Sequence, residues 1–74
     1  MAMHVSQTHD ANGTQIVVGD PIRIALRFSV GRYNFGKVVG IIEGSDPENA
    51  TVKVKLRLSG KTVSVERQRV YLED

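Results

Sequence analysis

Phe-Gly-Lys-Val-Val-Gly-Ile-Ile, residues 35–42, is the stretch on which the fold turns. Its apolar residues run almost without interruption, whereas the segments on either side alternate. Such a run is expected of a strand covered on both faces, or of one whose phase is shifted by a bulge. Gly36 and Gly40 supply plausible bend points, because a glycine inside a strand often marks a bulge or a corner. The stretch reads as the central strand, Phe35 to Glu43.

Upstream, Ile22, Ile24, Leu26 and Phe28 alternate with Arg23, Ala25 and Arg27. A period of two with one apolar face predicts a half-buried antiparallel strand. Pro21 has no amide donor and belongs at that strand's start or on an edge. Gln15–Val18 reads as a short opening strand, and Ser29–Asn34 as a loop. Downstream, Gly44–Asn49 is dense in turn formers. Thr51–Leu58 then places Val52, Val54, Leu56 and Leu58 inward, with Lys53, Lys55 and Arg57 outward. Ser59-Gly60 between two apolar runs signals a short hairpin. Lys61–Glu66 turns Val63 and Val65 inward, Arg67–Arg69 fits one turn of 3₁₀ helix, and Val70–Leu72 closes the pattern. The expectation is an all-β, five-stranded small barrel over residues 14–74. Residues 1–13, without periodicity, read as a flexible N-terminal tail with room for one short extended piece.

At 74 residues the chain is near the lower limit for a core that must hold a fold unaided. Aromatics at 5% and no Trp leave Val, Ile and Leu to build that core, and the absence of Cys excludes disulfides and thiolate zinc sites. No apolar run approaches the ~18 residues of a membrane span. The N-terminus lacks the apolar segment of a signal peptide, so a cytoplasmic location is expected. His4 would bind Cu(II) or Ni(II) if Met1 were removed, but such termini arise often by chance and no metal or cofactor is assigned. All ten basic residues lie between Arg23 and Arg69, most of them on predicted strands. The body of the domain is more basic than the net charge of +2 suggests.

The order of features resembles the SH3-like barrels, including their KOW and Tudor-type branches, over roughly residues 16 to 73. The resemblance rests on Gly19-Asp20-Pro21-Ile22-Arg23-Ile24, Phe35-Gly36-Lys37-Val38-Val39-Gly40-Ile41, Val52-Lys53-Val54-Lys55-Leu56, Ser59-Gly60, and Val65 through Leu72. It implies a binding domain rather than a particular activity, since this barrel carries many functions. KOW-type modules bind nucleic acid or protein near a Gly-Lys-Val strand, and Lys37 matches that position. Tudor-type modules use an aromatic cage; Tyr33, Phe35 and Tyr71 are too few for a full one. The plasmid-borne dihydrofolate reductases of this fold carry Val-Gln-Ile-Tyr where this chain has Val63-Ser64-Val65-Glu66, which does not support that activity. Barrel subunits of photosystem I and ferredoxin–thioredoxin reductase act by docking on larger assemblies.

Two groups of residues stand out as binding candidates. Arg23, Arg27, Lys53, Lys55 and Arg57 form an outward basic stripe able to follow a phosphate backbone. The plainer alternative is a charged face that keeps a small barrel soluble. Arg32, Tyr33, Asn34 and Phe35, with Lys37 just beyond, form a contact loop able to stack on bases or anchor a protein. Here too there is a plainer reading, preferred for Phe35, in which its ring caps the core. Arg67 and Arg69 either join the basic surface or pair with Glu66, Glu73 and Asp74. Catalysis has little to work with: His4 and His9 lie in the tail, Asp46 and Glu48 share a loop, and the serines have no evident base. The expectation is a non-catalytic module for nucleic acid (RNA or DNA), or alternatively an adaptor docking on a protein assembly, with no membrane partner. So small a core also gains from homo-oligomer formation.

Overall fold

The computed structural model describes residues 3–26, 31–43 and 50–73, with the side chain of Met3 left aside. The fold is all-β. Its strands are β1 (Met3–Val5), β2 (Gln7–His9), β3 (Gln15–Val17), β4 (Pro21–Ala25), β5 (Tyr33–Glu43), β6 (Thr51–Leu56), β7 (Thr62–Glu66) and β8 (Val70–Leu72), with a 3₁₀ turn at Arg67–Arg69. The main sheet runs β7-β6-β5-β4-β8, all neighbours antiparallel, and β1 adds to β5 beyond that path. β2 and β3 form a separate two-stranded sheet. Among the described residues β7 and β8 end the path and do not pair with each other, so the ladder is not closed. The described strands number eight, not five.

β5 organises the rest, and its continuous apolar run has a definite cause. The register to β6 shifts between Val38 and Gly40, so the extra residue, Val39, turns outward and is 43% exposed. Val38 and Ile41 are both buried as a result. One edge of β5 takes β6; the other takes β4, then the Gly19-Asp20 turn, then β1. The turn is held by Gly19 N donating to Val38 O (2.8 Å) and Val38 N donating to Asp20 O (3.0 Å). Pro21 stands at the start of β4, where no donor is missed.

Gly36 is a close-approach glycine rather than a bend. A Cβ there would lie 2.5 Å from Val54 Cγ1 and 2.6 Å from the Lys55 carbonyl oxygen. Gly36→Ala must therefore push β5 from β6, and it should destabilise the fold by about 1–3 kcal/mol, as overpacking does. A urea midpoint unchanged from wild type, at equal m-value, would contradict that close contact.

The core comprises Ile16, Ile22, Ile24, Val38, Ile41, Ala50, Val52, Val54 and Val70, with Val5, Leu56, Val63, Val65 and Leu72 packed against it. It is aliphatic among the described residues. Four sequence expectations are corrected here. Tyr33 and Asn34 belong to β5 rather than to a loop. Phe35 does not cap the core: Gly36 and Val38 take the inward phase, which turns Phe35 out at 41% exposure. Leu58, expected inward, is fully exposed because β6 ends at Leu56. The chain turns there, through Gly60 (φ +72°), with Gly60 N donating to Leu56 O. Leu58→Ser should accordingly leave stability within about 0.5 kcal/mol in chemical denaturation; a larger loss would mean the side chain is packed.

The fourth difference concerns residues 3–13, read from sequence as a tail. β1 pairs with the end of β5 and β2 with β3. The Asp10 carboxylate between them is buried, at 1% exposure. Its Oδ1 accepts from the amides of Asn12 (2.9 Å) and Thr14 (2.8 Å), and its Oδ2 from the amide of Leu72 (2.9 Å). Ala11 N donates to Val70 O, and the Arg67 guanidinium donates to the Asp10 carbonyl. The N-terminal hairpin is thereby tied to the last strand. Of the segments with predicted structure, residues 27–30 (the end of the first alternating strand and the start of the loop) and 44–49 lie outside the described residues.

Candidate nucleic-acid interface

The phase that sends Gly36 and Val38 inward sends Tyr33, Phe35 and Lys37 outward along β5. On the same face β4 presents Arg23, β6 presents Lys53 and Lys55, and β8 presents Tyr71. One outer sheet face thus collects Arg23, Lys53 and Lys55 of the basic stripe with Tyr33, Phe35 and Lys37 of the predicted contact loop, whereas Asn34 takes the opposite phase of β5. It divides into an aromatic half and a lysine half.

In the aromatic half, Arg23 lies opposite Phe35 on one side and Tyr71 on the other. Its guanidinium sits 4.8 Å from the Tyr33 ring centre and 5.7 Å from that of Tyr71. The two tyrosine rings meet edge to face, 6.1 Å apart at 86°. Arg23 Nε is buried without a hydrogen-bond partner, and among the described residues no carboxylate pairs with this guanidinium. Its charge is held by ring faces, an arrangement that contributes about 0.5–2 kcal/mol. Arg57, in the turn after β6, lies 5.7 Å from the Phe35 ring centre and forms a 2.8 Å ion pair with Glu73. Rings and guanidinium groups therefore alternate across the face as Tyr71, Arg23, Phe35, Arg57.

In the lysine half, Lys37 stands directly opposite Lys55, and both are exposed. Like charges facing each other across a strand pair are destabilising. The row containing them, Pro21–Lys37–Lys55–Thr62, holds no acid to relieve them, and neither does the neighbouring row Gly40–Lys53–Ser64. Among the described residues no carboxylate pairs with Lys37, Lys53 or Lys55. A shallow concavity of about 470 Å³ is lined by Lys37, Lys55 and Arg57 together with Gly19, Gly36 and Gly60.

Of the other candidates, Arg32 is exposed just before β5, and Arg27 lies outside the described residues. Arg69 is turned to structural use: its Nε and Nη2 donate to the Ala25 carbonyl at 3.2 and 2.9 Å. Arg67 likewise donates to the Asp10 carbonyl. Glu73, as the anchor of Arg57, has no signal in the sequence. Tyr71 does have one, since Val70 and Leu72 inward require Tyr71 outward. Another concavity, about 1010 Å³, includes His4, His9, Glu43 and Arg67 in its lining. Among the described residues no three His, Cys, Asp or Glu side chains gather into a metal-binding group. No described helix is long and apolar enough to cross a membrane. Comparison with known protein families, curated protein sequences and solved structures finds no match, so the functional reading rests on this geometry.

Proposed function

We propose that the chain is a non-catalytic, cytoplasmic binding module of the SH3-like type, and that its outer sheet face binds nucleic acid. The barrel reading is supported by the path β7-β6-β5-β4-β8 and by the 3₁₀ turn leading into the last strand. The functional reading is carried by one observation, the pairing of Lys37 with Lys55, which no carboxylate among the described residues relieves. A face selected only for solubility would interleave acids with lysines and gain stability by it. A row of phosphates supplies the missing anions, and each neutralised phosphate releases counterions.

The test is fluorescence anisotropy of labelled oligonucleotides titrated at low and at near-physiological salt. Binding is expected to weaken steeply as salt rises, the slope of log K against log salt growing by about 0.9 per phosphate contacted on a duplex and about 0.7 on a single strand. No binding at low salt would overturn the reading. Leu58, fully exposed beside Tyr33 and Phe35, favours a second reading in which this end of the sheet docks on a protein assembly. That reading predicts a partner whose capture is lost with Leu58→Ser and is insensitive to lysine reversal.

A further inference from the structure

The geometry points to an unpaired nucleic-acid segment as the ligand of this face, its bases seated on Phe35 and Tyr33 and its phosphates on Lys37 and Lys55. The inference rests on the polyanion reading above and adds the class of strand recognised. Three observations carry it. First, Phe35 and Tyr33 are 41% and 37% exposed on a protein whose described core is wholly aliphatic. Each ring meets a guanidinium on one side, Arg23 at Tyr33 and Arg57 at Phe35, and the ring surface left exposed is open to a further stacking partner. Base stacking on exposed rings is the common way in which sheet faces read single strands.

Second, the ring spacing does not match the base spacing of a stacked helix. Tyr33, Phe35 and Lys37 occupy successive outward positions of β5, which stand about 7 Å apart at ~3.4 Å per residue. Bases within a duplex follow one another every ~3.4 Å along the axis and offer their faces only to each other. Rings spaced twice as widely suit bases that have come apart from their neighbours. Third, a concavity of about 370 Å³ lies beside Phe35, lined by Tyr33, Asn34, Leu56, Arg57 and Leu58 as well as Phe35 itself. That volume falls in the lower part of the ~300–1,000 Å³ range of small-ligand sites. One wall is a ring with the Arg57 guanidinium over it, and Arg57 is fixed in place by Glu73. A base entering there meets a flat aromatic face, a cation and an apolar edge from Leu58.

The experiment compares four ligands of equal length: an unstructured RNA, the same sequence as DNA, an abasic strand and a duplex. Both tyrosines lie on this face and the chain has no Trp, so intrinsic emission reports on it alone. The base-bearing single strands should bind at least about 10-fold tighter than the abasic strand and the duplex, and should quench tyrosine emission. Phe35→Ala should remove about 10-fold of affinity for the base-bearing strands and leave the abasic strand unchanged. Phe35→Trp should retain binding and place a quenched emitter at the site. RNA and DNA binding equally means that ring and phosphate contacts suffice; a preference for RNA adds a 2′-hydroxyl contact to the same mode. Equal, salt-sensitive binding of all four ligands with Phe35→Ala neutral would overturn the inference and leave the polyanion reading standing. Tighter binding of the duplex would do the same. Failure of every ligand to bind at low salt would overturn both.

Discussion

Replacing Asp10 with alanine is expected to destabilise the folded protein by about 3 kcal/mol, although the residue touches no proposed ligand. The carboxylate accepts from three backbone amides, two in its own turn and one on β8. Each amide left without an acceptor costs about 1–3 kcal/mol when buried, and water entering the gap offsets part of that for the two in the turn. The amide of Leu72 is the expensive one, because its loss leaves Ala11 N donating to Val70 O as the hairpin's remaining hydrogen bond to the last strand among the described residues. A domain of 74 residues has roughly 4–11 kcal/mol in all, so the loss is a large share. Asp10→Asn should fall between alanine and wild type. Its carbonyl can still accept from the turn amides, while its NH₂ confronts the Leu72 N–H, donor against donor. Urea unfolding at constant m-value measures both variants. An alanine variant within about 0.5 kcal/mol of wild type would show that the clasp contributes nothing net.

The second large effect concerns binding. Reversing Lys37 and Lys55 together to glutamate should weaken oligonucleotide binding by about 100-fold or more and reduce the salt slope by about 1.4 on a single strand. Two phosphate contacts are lost and two repulsions take their place. Lys37→Glu alone separates function from stability, because it converts a repulsive cross-strand pair into an attractive one with Lys55. Folding stability should rise by about 0.2–1 kcal/mol while affinity for the oligonucleotide falls. A residue that weakens the fold when present and strengthens binding is kept for binding. If Lys37→Glu left affinity unchanged, the lysine pair would revert to a solvated surface.

Much of this face is legible in the sequence. Period-two alternation in 22–28 and 51–58 separated inward Ile22, Ile24, Val52 and Val54 from outward Arg23, Lys53 and Lys55, since a strand admits only two faces. The one-turn 3₁₀ segment showed as a break in that alternation. What escaped reading depended on contacts distant in sequence. β1 and β2 are three residues each and carry little apolar pattern, so nothing local distinguishes them from a tail. The Asp10 clasp closes on Leu72, 62 residues away. Asn12-Gly13 was visible as a turn, but its burial was not. The direction of Phe35 follows only from knowing that Gly36, which must pass within reach of Val54, takes the inward phase. Leu58 failed for a simpler reason: an alternating pattern can run on past the point where the chain turns.

The most direct test is an amide chemical-shift titration of the isotopically labelled protein with an unstructured oligonucleotide at low salt. Shifts should concentrate on Arg23, Tyr33, Phe35, Lys37, Lys53, Lys55 and Arg57, leaving the Asp10 hairpin and the outer edge of β7 undisturbed. Shifts confined to those other surfaces, or none at saturating ligand, would contradict the assignment of function to this sheet face.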